Sequence, residues 1–130
     1  MTCAPAGARR KGRIVEECLF CRIASGEISA NIVYEDDGVV AFDDISPQAP
    51  VHTLVIPRTH YDNMSDGVSP EVMAAVFGVV PEVARLKGVD ESGYRVIVNN
   101  GPDANQTVGH LHVHIIGGSA MSHGMVQMER

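Results

Sequence analysis

No apolar run in this 130-residue chain approaches the roughly 20 residues that a bilayer span needs, and no secretory-type apolar segment opens it. Basic charge is short as well: 10 Lys and Arg stand against 16 Asp and Glu, a formal net charge of -6. That balance argues against non-specific nucleic-acid binding, which needs a basic surface. It leaves room for a small phosphate-bearing molecule met locally by imidazoles and backbone N–H groups. Cysteine is scarce and odd in number (Cys3, Cys18, Cys21), which argues against a disulfide framework and for a cytoplasmic protein. Internal repeats and linkers are missing, so the length and the 45% apolar content read as one globular domain with an adequate core.

What the chain does have is histidine in a strict pattern. In Gln106-Thr107-Val108-Gly109-His110-Leu111-His112-Val113-His114-Ile115-Ile116-Gly117-Gly118, three histidines alternate with apolar residues. Side chains on a strand alternate between faces, so His110, His112 and His114 share one face, roughly 6.5–7 Å apart in sequence-alternate Cα positions. Leu111, Val113 and Ile115 take the other face and can be buried under a helix. Helical spacing would scatter the imidazoles around the axis.

The remaining elements follow in order. Residues 18–25 make a short helix or turn, stopped by Gly26. Strands at 31–35 and 39–42 return about the turn signal Asp36-Asp37-Gly38. A proline-punctuated loop precedes a third strand at 52–56, ended by Pro57. Ser69-Pro70-Glu71 is a helix start: a hydroxyl cap, Pro at the first helical position and an acid in the first turn. Its apolar face runs through Val72, Val76, Val79, Val80, Val83 and Leu86 to Gly88, with a kink expected at Gly78 and Pro81. A fourth strand covers 94–99, and the histidine strand is the fifth. The pattern predicts an α+β domain: a five-stranded, mostly antiparallel sheet with one long and one short helix. Residues 1–17, with Arg9, Arg10, Lys11 and Arg13, read as a flexible N-terminal tail, leaving 18–130 as the domain.

The motif His-apolar-His-apolar-His-apolar-apolar is complete here, and the chain resembles the histidine-triad (HIT) superfamily over roughly residues 18–118. The flanking Gln106-Thr107 and Gly117-Gly118 look closest to its Hint branch of nucleoside phosphoramidases. The resemblance implies a HIT-like fold, a homodimer with joined sheets and paired long helices, and purine nucleoside monophosphate derivatives as substrates. It also implies cleavage at the α-phosphate through a covalent nucleotidyl-histidine on the middle histidine, His112. Neutral imidazole is abundant near pH 7 and nucleophilic, which suits that role. By the same resemblance His110 and His114 flank the nucleophile as donors to phosphate oxygens, and His52 hydrogen-bonds beside them. Asp43-Asp44-Ile45-Ser46-Pro47 matches the segment that holds the nucleoside: Asp44 accepts the ribose hydroxyls, Ile45 packs on the ribose or base, and Phe42 and Ile23 neighbour the base. Asn99, Gln106 and Thr107 are candidates for the phosphate and leaving group. Thr107 replaces the serine more usual in that branch, adding a methyl on the leaving-group side.

Cys18-Leu19-Phe20-Cys21 has metal-ligand spacing, though thioredoxin-like motifs share it; no βαβ pattern surrounds it here. Many bacterial histidine-triad proteins carry this pair with a histidine after the third strand, here His60, and complete a structural zinc with the first triad histidine, here His110. Two thiolates and two imidazoles satisfy tetrahedral zinc. Two inert buried cysteines are the alternative. Catalysis itself would need no metal. The resemblance is weakest in the C-terminal tail. Hint-type proteins often place a tryptophan there, and this chain has none. Two other functions compete: a metal-dependent hydrolase with His110, His112 and His114 as ligands, and a nucleotide-binding or scaffold protein with little turnover.

Overall fold

A computed structural model describes residues 13–124; the tail residues Arg9, Arg10 and Lys11, and Met125 beyond the other end, lie outside the described residues. Five strands form one sheet: β1 (Ile32–Glu35), β2 (Val39–Asp43), β3 (Val51–Pro57), β4 (Tyr94–Ile97) and β5 (Val113–Gly117). Their order is β1-β2-β3-β5-β4, and every pairing is antiparallel. The helices are α1 (Leu19–Ala24), α2 (Pro70–Gly78) and α3 (Val80–Leu86). This is the α+β arrangement expected, with the long helix divided in two.

Local chemistry sets the boundaries. Asp36 Oδ1 accepts the N–H groups of Gly38 and Val39, each at 2.9 Å, closing the β1–β2 turn. Ser69 Oγ accepts the Val72 N–H at 3.2 Å, and Pro70 follows at the first helical position. Val79 ends α2 and begins α3, with Pro81 in the first turn of α3. The break falls where Pro81 cannot donate a helical hydrogen bond.

The pleat then sorts residues onto two faces. On one, Val39, Ala41, Val55, Val113 and Ile115 pack against Val76, Val80 and Val83 of α2 and α3. Each valine or isoleucine there contributes about 1.5–3 kcal/mol when fully buried, so this face carries much of the stability. On the other, Val40, Phe42, Leu54 and Ile56 pack under Phe20 and Ile23 of α1. With only 6 residues, α1 is too short to roof that whole face. His52 and His114 lie on it too, paired across the β3–β5 ladder with Ile116 and Leu54.

Three expectations are corrected. The histidine strand does not span the triad: β5 begins at Val113, and His110 to His112 lie outside the ladder. There the backbone bonds elsewhere, Leu111 N–H to the Tyr61 oxygen at 2.7 Å and His110 N–H to the Val108 oxygen at 2.9 Å. The fourth strand stops at Ile97. Leu86, placed on the buried face by its spacing, sits in the last turn of α3 and is exposed. The terminal glycines do have a steric reason. A Cβ at Gly117 would stand 3.0 Å from Val89 Cγ1, and one at Gly118 (φ +92°) would stand 2.9 Å from Pro50 Cβ.

Candidate functional site

The open part of the second face is a cavity of about 680 Å³ lined by His112, His114, His52, Asp44, Phe42 and Thr107 among others. Hydrogen-bond partners fix the tautomer of each ring. His112 Nδ1 is 2.7 Å from the His110 main-chain oxygen. A carbonyl only accepts, so the proton is on Nδ1 and the lone pair on Nε2. His52 Nδ1 accepts the Gln48 backbone N–H at 3.0 Å, so its proton is on Nε2, 2.9 Å from His114 Nδ1. His114 therefore accepts at Nδ1 and carries its proton on Nε2. Among the described residues, that Nε2 is the buried side-chain nitrogen or oxygen left without a partner. A buried donor without a partner costs about 1–3 kcal/mol, and here it belongs to a ring that lines the cavity.

All three rings are held neutral. Burial pushes His112 below its ordinary value of 6.5; its hydrogen bond to the His110 oxygen and the charge of Asp44 oppose this, while the nearby His110 and His52 rings add to the lowering. Burial, then His112 and His52, push His114 down to about 3. Burial also lowers His52, opposed by the charge of Asp44. The cavity thus presents one imidazole lone pair and one imidazole N–H at neutral pH.

Asp44 sits beside them, half-buried. Its Oδ1 accepts the Ser46 N–H at 2.8 Å, and its Oδ2 lies 3.5 Å from His52 Nε2. Ile45 is 90% exposed at the cavity edge, an apolar surface with no protein neighbour to cover it. Phe42 and Ile23 are buried in the cavity wall, and Asn99 and Thr107 line it.

Gln106 does not line the cavity. Its amide ties loops together: Nε2 donates to the oxygens of Asp62 (2.8 Å) and Val108 (2.9 Å), and Oε1 accepts the Gly101 N–H (2.9 Å). Of the two roles expected of His110, phosphate donor and fourth ligand beside Cys18, Cys21 and His60, the structure brings together the residues of the second. His110 is fully buried, is not part of the cavity wall, and has both ring nitrogens committed elsewhere. Its Nε2–H donates to the Pro57 oxygen at 2.9 Å, and its Nδ1 stands 3.3 Å from Cys18 Sγ and 3.6 Å from Cys21 Sγ. It is therefore in no position to donate to a phosphate in the cavity.

Those contacts belong to a second cluster. Cys18, Cys21, His60 and His110 each offer one ligand atom, all within 4.8 Å of one another. His60 Nε2 donates to Asp62 Oδ1 at 2.8 Å, leaving its Nδ1 3.3 Å from Cys21 Sγ. Both imidazoles thus turn a lone pair toward the thiols, each backed by an oxygen on its far side, the outer arrangement typical of zinc-bound histidine. The Cys18 thiol is pushed down by the hydrogen bond with Cys21, against burial and with help from His110 and His60. That same hydrogen bond pushes Cys21 up. Two sulfurs and two nitrogens at this separation fit a tetrahedral ion. The three triad rings do not converge in this way. Asp44, His52 and His114 also lie within 4.8 Å of one another, but there the two rings already face each other across a hydrogen bond.

Some site residues escaped the sequence reading. Phe20 stands edge-on to His112, with centroids 5.2 Å apart and planes at 84°, and also touches Phe42 at 5.4 Å. Its signal was the Phe20/Ile23 apolar pair at helical spacing. Asp62 backs His60, legible only as an acid two residues later. Gln48 acts through its backbone, which no side-chain pattern announces.

A family model, the HIT domain, matches residues 25–121. Purine nucleoside phosphoramidase of Escherichia coli (strain K12) is 42% identical over 108 residues, 81% of this chain and 90% of that protein. A 14 kDa zinc-binding protein of Brassica juncea is 40% identical over 111 residues, 82% of this chain and 96% of that one. Among solved structures, a HIT family hydrolase from Clostridium thermocellum superposes with a TM-score of 0.81 at 39% identity, covering 85% of this chain and 98% of its own.

Proposed function

The chain belongs to the HIT domain family, and from that premise we propose that it hydrolyses purine nucleoside phosphoramidates, or related nucleotides, at the α-phosphate through a nucleotidyl-histidine on His112. The observation that carries this reading is the pairing of a His112 Nε2 lone pair with an unpartnered His114 Nε2–H on one cavity wall beside Asp44. The relatedness to a purine nucleoside phosphoramidase supports the substrate class.

In the first step His112 Nε2 bonds to phosphorus as the phosphorus–nitrogen bond to the amine breaks. The ring keeps its Nδ1 proton, and the positive charge it gains is shared with the His110 oxygen 2.7 Å away. The amine leaves with a proton taken from solvent. His114 Nε2–H donates to a non-bridging phosphate oxygen and keeps its proton, since a neutral imidazole N–H is too weak an acid to release it. In the second step water attacks phosphorus, the bond to Nε2 breaks, and the water returns the proton that the amine removed. Asp44 accepts the ribose hydroxyls, Ile45 packs on the nucleoside, and Phe42 and Ile23 border the base. Asn99 and Thr107 serve the phosphate and leaving-group side.

Cys18, Cys21, His60 and His110 would hold a structural zinc, whose chemistry is to cross-link the α1 start, the β3 end and the triad loop. The kinship to a zinc-binding protein supports this. A homodimer is part of the same reading. So is a reducing, cytoplasmic setting, which the free Cys18 and Cys21 support. Among the described residues no helix is long and apolar enough to cross a membrane.

A substrate panel tests the proposal: adenosine and guanosine phosphoramidates beside dinucleoside polyphosphates. Purine phosphoramidates should be cleaved fastest, releasing the nucleoside monophosphate. Folded protein that turns over none of them overturns the enzyme reading and leaves a nucleotide-binding protein.

A further inference from the structure

The cluster of thiols and imidazoles is joined to the cavity wall by two independent contacts. The first runs through His110. Its ring is fixed on both sides, by the thiols at 3.3 and 3.6 Å and by the Pro57 oxygen at 2.9 Å, and its own main-chain oxygen takes the His112 Nδ1–H at 2.7 Å. The second runs through Phe20, held between Cys18 and Cys21 on α1, whose ring edge meets His112 at 5.2 Å and His110 at 6.0 Å.

What makes these contacts consequential is where the strand begins. His114 is held by the β5 ladder, opposite Leu54 on β3 and Ile97 on β4. His112 lies just outside it. The ladder therefore fixes one member of the working pair and not the other. The ring of His112 takes its position from the His110 oxygen and from the Phe20 edge, and both are anchored in the metal-ligand cluster.

We infer that metal occupancy of the Cys18–Cys21–His60–His110 cluster regulates the nucleophile, with His110 and Phe20 as positioning residues that transmit the state of the cluster to His112. The inference rests on the zinc and nucleophile readings above and goes beyond a purely structural ion. Without the ion, His110 is held by the Pro57 and Val108 oxygens and Phe20 by its packing on Phe42, with no metal joining the two through the cluster. The lone pair of His112 then loses alignment while the nucleoside contacts at Asp44, Ile45 and Phe42 remain. Misplacement of a reacting group on the ångström scale costs on the order of a hundred-fold in rate. By reciprocity of binding, whatever factor the bound metal adds to nucleotide affinity through an ordered His112, bound nucleotide adds to metal affinity.

The test uses the full chain with cobalt(II) in place of zinc and adenosine monophosphate as the probe. Saturating nucleotide should shift the visible cobalt bands and slow metal release to a chromophoric chelator about five-fold or more. Partial metal removal from folded protein should lower kcat in proportion to the metal lost, leave KM within about two-fold, and be reversed by zinc. Phe20→Leu should keep the metal but weaken both the nucleotide-induced band shift and kcat. A protein that holds cobalt while its bands and release rate ignore bound nucleotide overturns the regulation and leaves the structural zinc standing. A protein that binds no cobalt or zinc overturns the metal reading and the inference with it.

Discussion

His52 Nε2 and His114 Nδ1 stand 2.9 Å apart on neighbouring strands, and neither ring is free to choose its tautomer. The Gln48 N–H on the far side of His52 sets the direction of the whole chain of bonds, which ends in the His114 Nε2–H. Removing His52 should let His114 turn over its tautomer and lose its pinned donor. His52→Ala is expected to lower kcat about ten-fold or more, as for the loss of a buried hydrogen bond worth about 1–3 kcal/mol, with a smaller change in KM. His52→Gln, whose amide can still donate to His114 Nδ1, should recover part of that loss. Steady-state kinetics of the two variants checks this, and equal kcat in His52→Ala and the unsubstituted protein would contradict it.

The pH profile follows from the depressed imidazoles. A proton on His112 Nε2 abolishes the nucleophile, and burial holds its pKa below 6.5. The acid limb of kcat/KM should therefore lie below pH 6.5, with a plateau through neutrality. The same shifts bear on stability. A buried imidazole with a lowered pKa favours the folded state fully above 6.5 and loses that contribution as pH falls through the folded value, about 3 for His114. A limb centred at or above 6.5 would mean that the three rings are not held neutral by burial.

Asp44 and its neighbour Asp43 are expected to part company under mutation. Asp44→Ala should raise KM for ribonucleotide substrates about ten-fold and flatten the difference between ribose and deoxyribose substrates, since a charged acceptor contributes about 1.5–3 kcal/mol. The comparison to make is the deoxyribose penalty on each protein. Equal penalties would take ribose recognition away from Asp44.

Asp43 is a joint of the fold. It accepts from Asn31 Nδ2 at 2.6 Å, Thr53 Oγ1 at 2.9 Å and Lys87 Nζ at 3.0 Å, tying β2 to its neighbours and to the end of α3. Although burial opposes it, these partners, Lys87 first, hold its carboxyl below the usual 3.8. Its contribution is complete above that value and is lost as pH falls through the lower folded one. Asp43→Ala should cost about 1–3 kcal/mol in denaturant unfolding and leave kcat nearly unchanged. A stable, inactive variant would reverse the assignment of the two acids.

That pair shows what was legible in the sequence and what was not. Strand alternation says that adjacent acids on β2 and just beyond it diverge, but the register that gives Asp43 to Thr53 comes from pairing with β3, a long-range event. The sheet, the helix start at Ser69 and the kink at Pro81 were readable because each has a local cause. The triad was readable as a pattern, and family resemblance already set His112 apart as nucleophile and His110 as a metal ligand, but the alternation by itself treats the three histidines alike. Their division of labour arises from partners dozens of residues away: the thiols of Cys18 and Cys21 claim His110, and His52 claims one side of His114. Gln106 likewise looked like a phosphate ligand by position, until the oxygens of Asp62 and Val108 took its amide hydrogens.

The most direct measurement is a rapid quench into base of the native protein mixed with a purine nucleoside phosphoramidate labelled at the α-phosphate, run beside His112→Ala. Label should appear on the peptide carrying His112 within the first turnover and be absent from the variant, whose turnover should be lower by several orders of magnitude while nucleotide binding persists. Label-free protein, together with His112→Ala activity within a few-fold of the unsubstituted chain, would contradict the nucleotidyl-histidine.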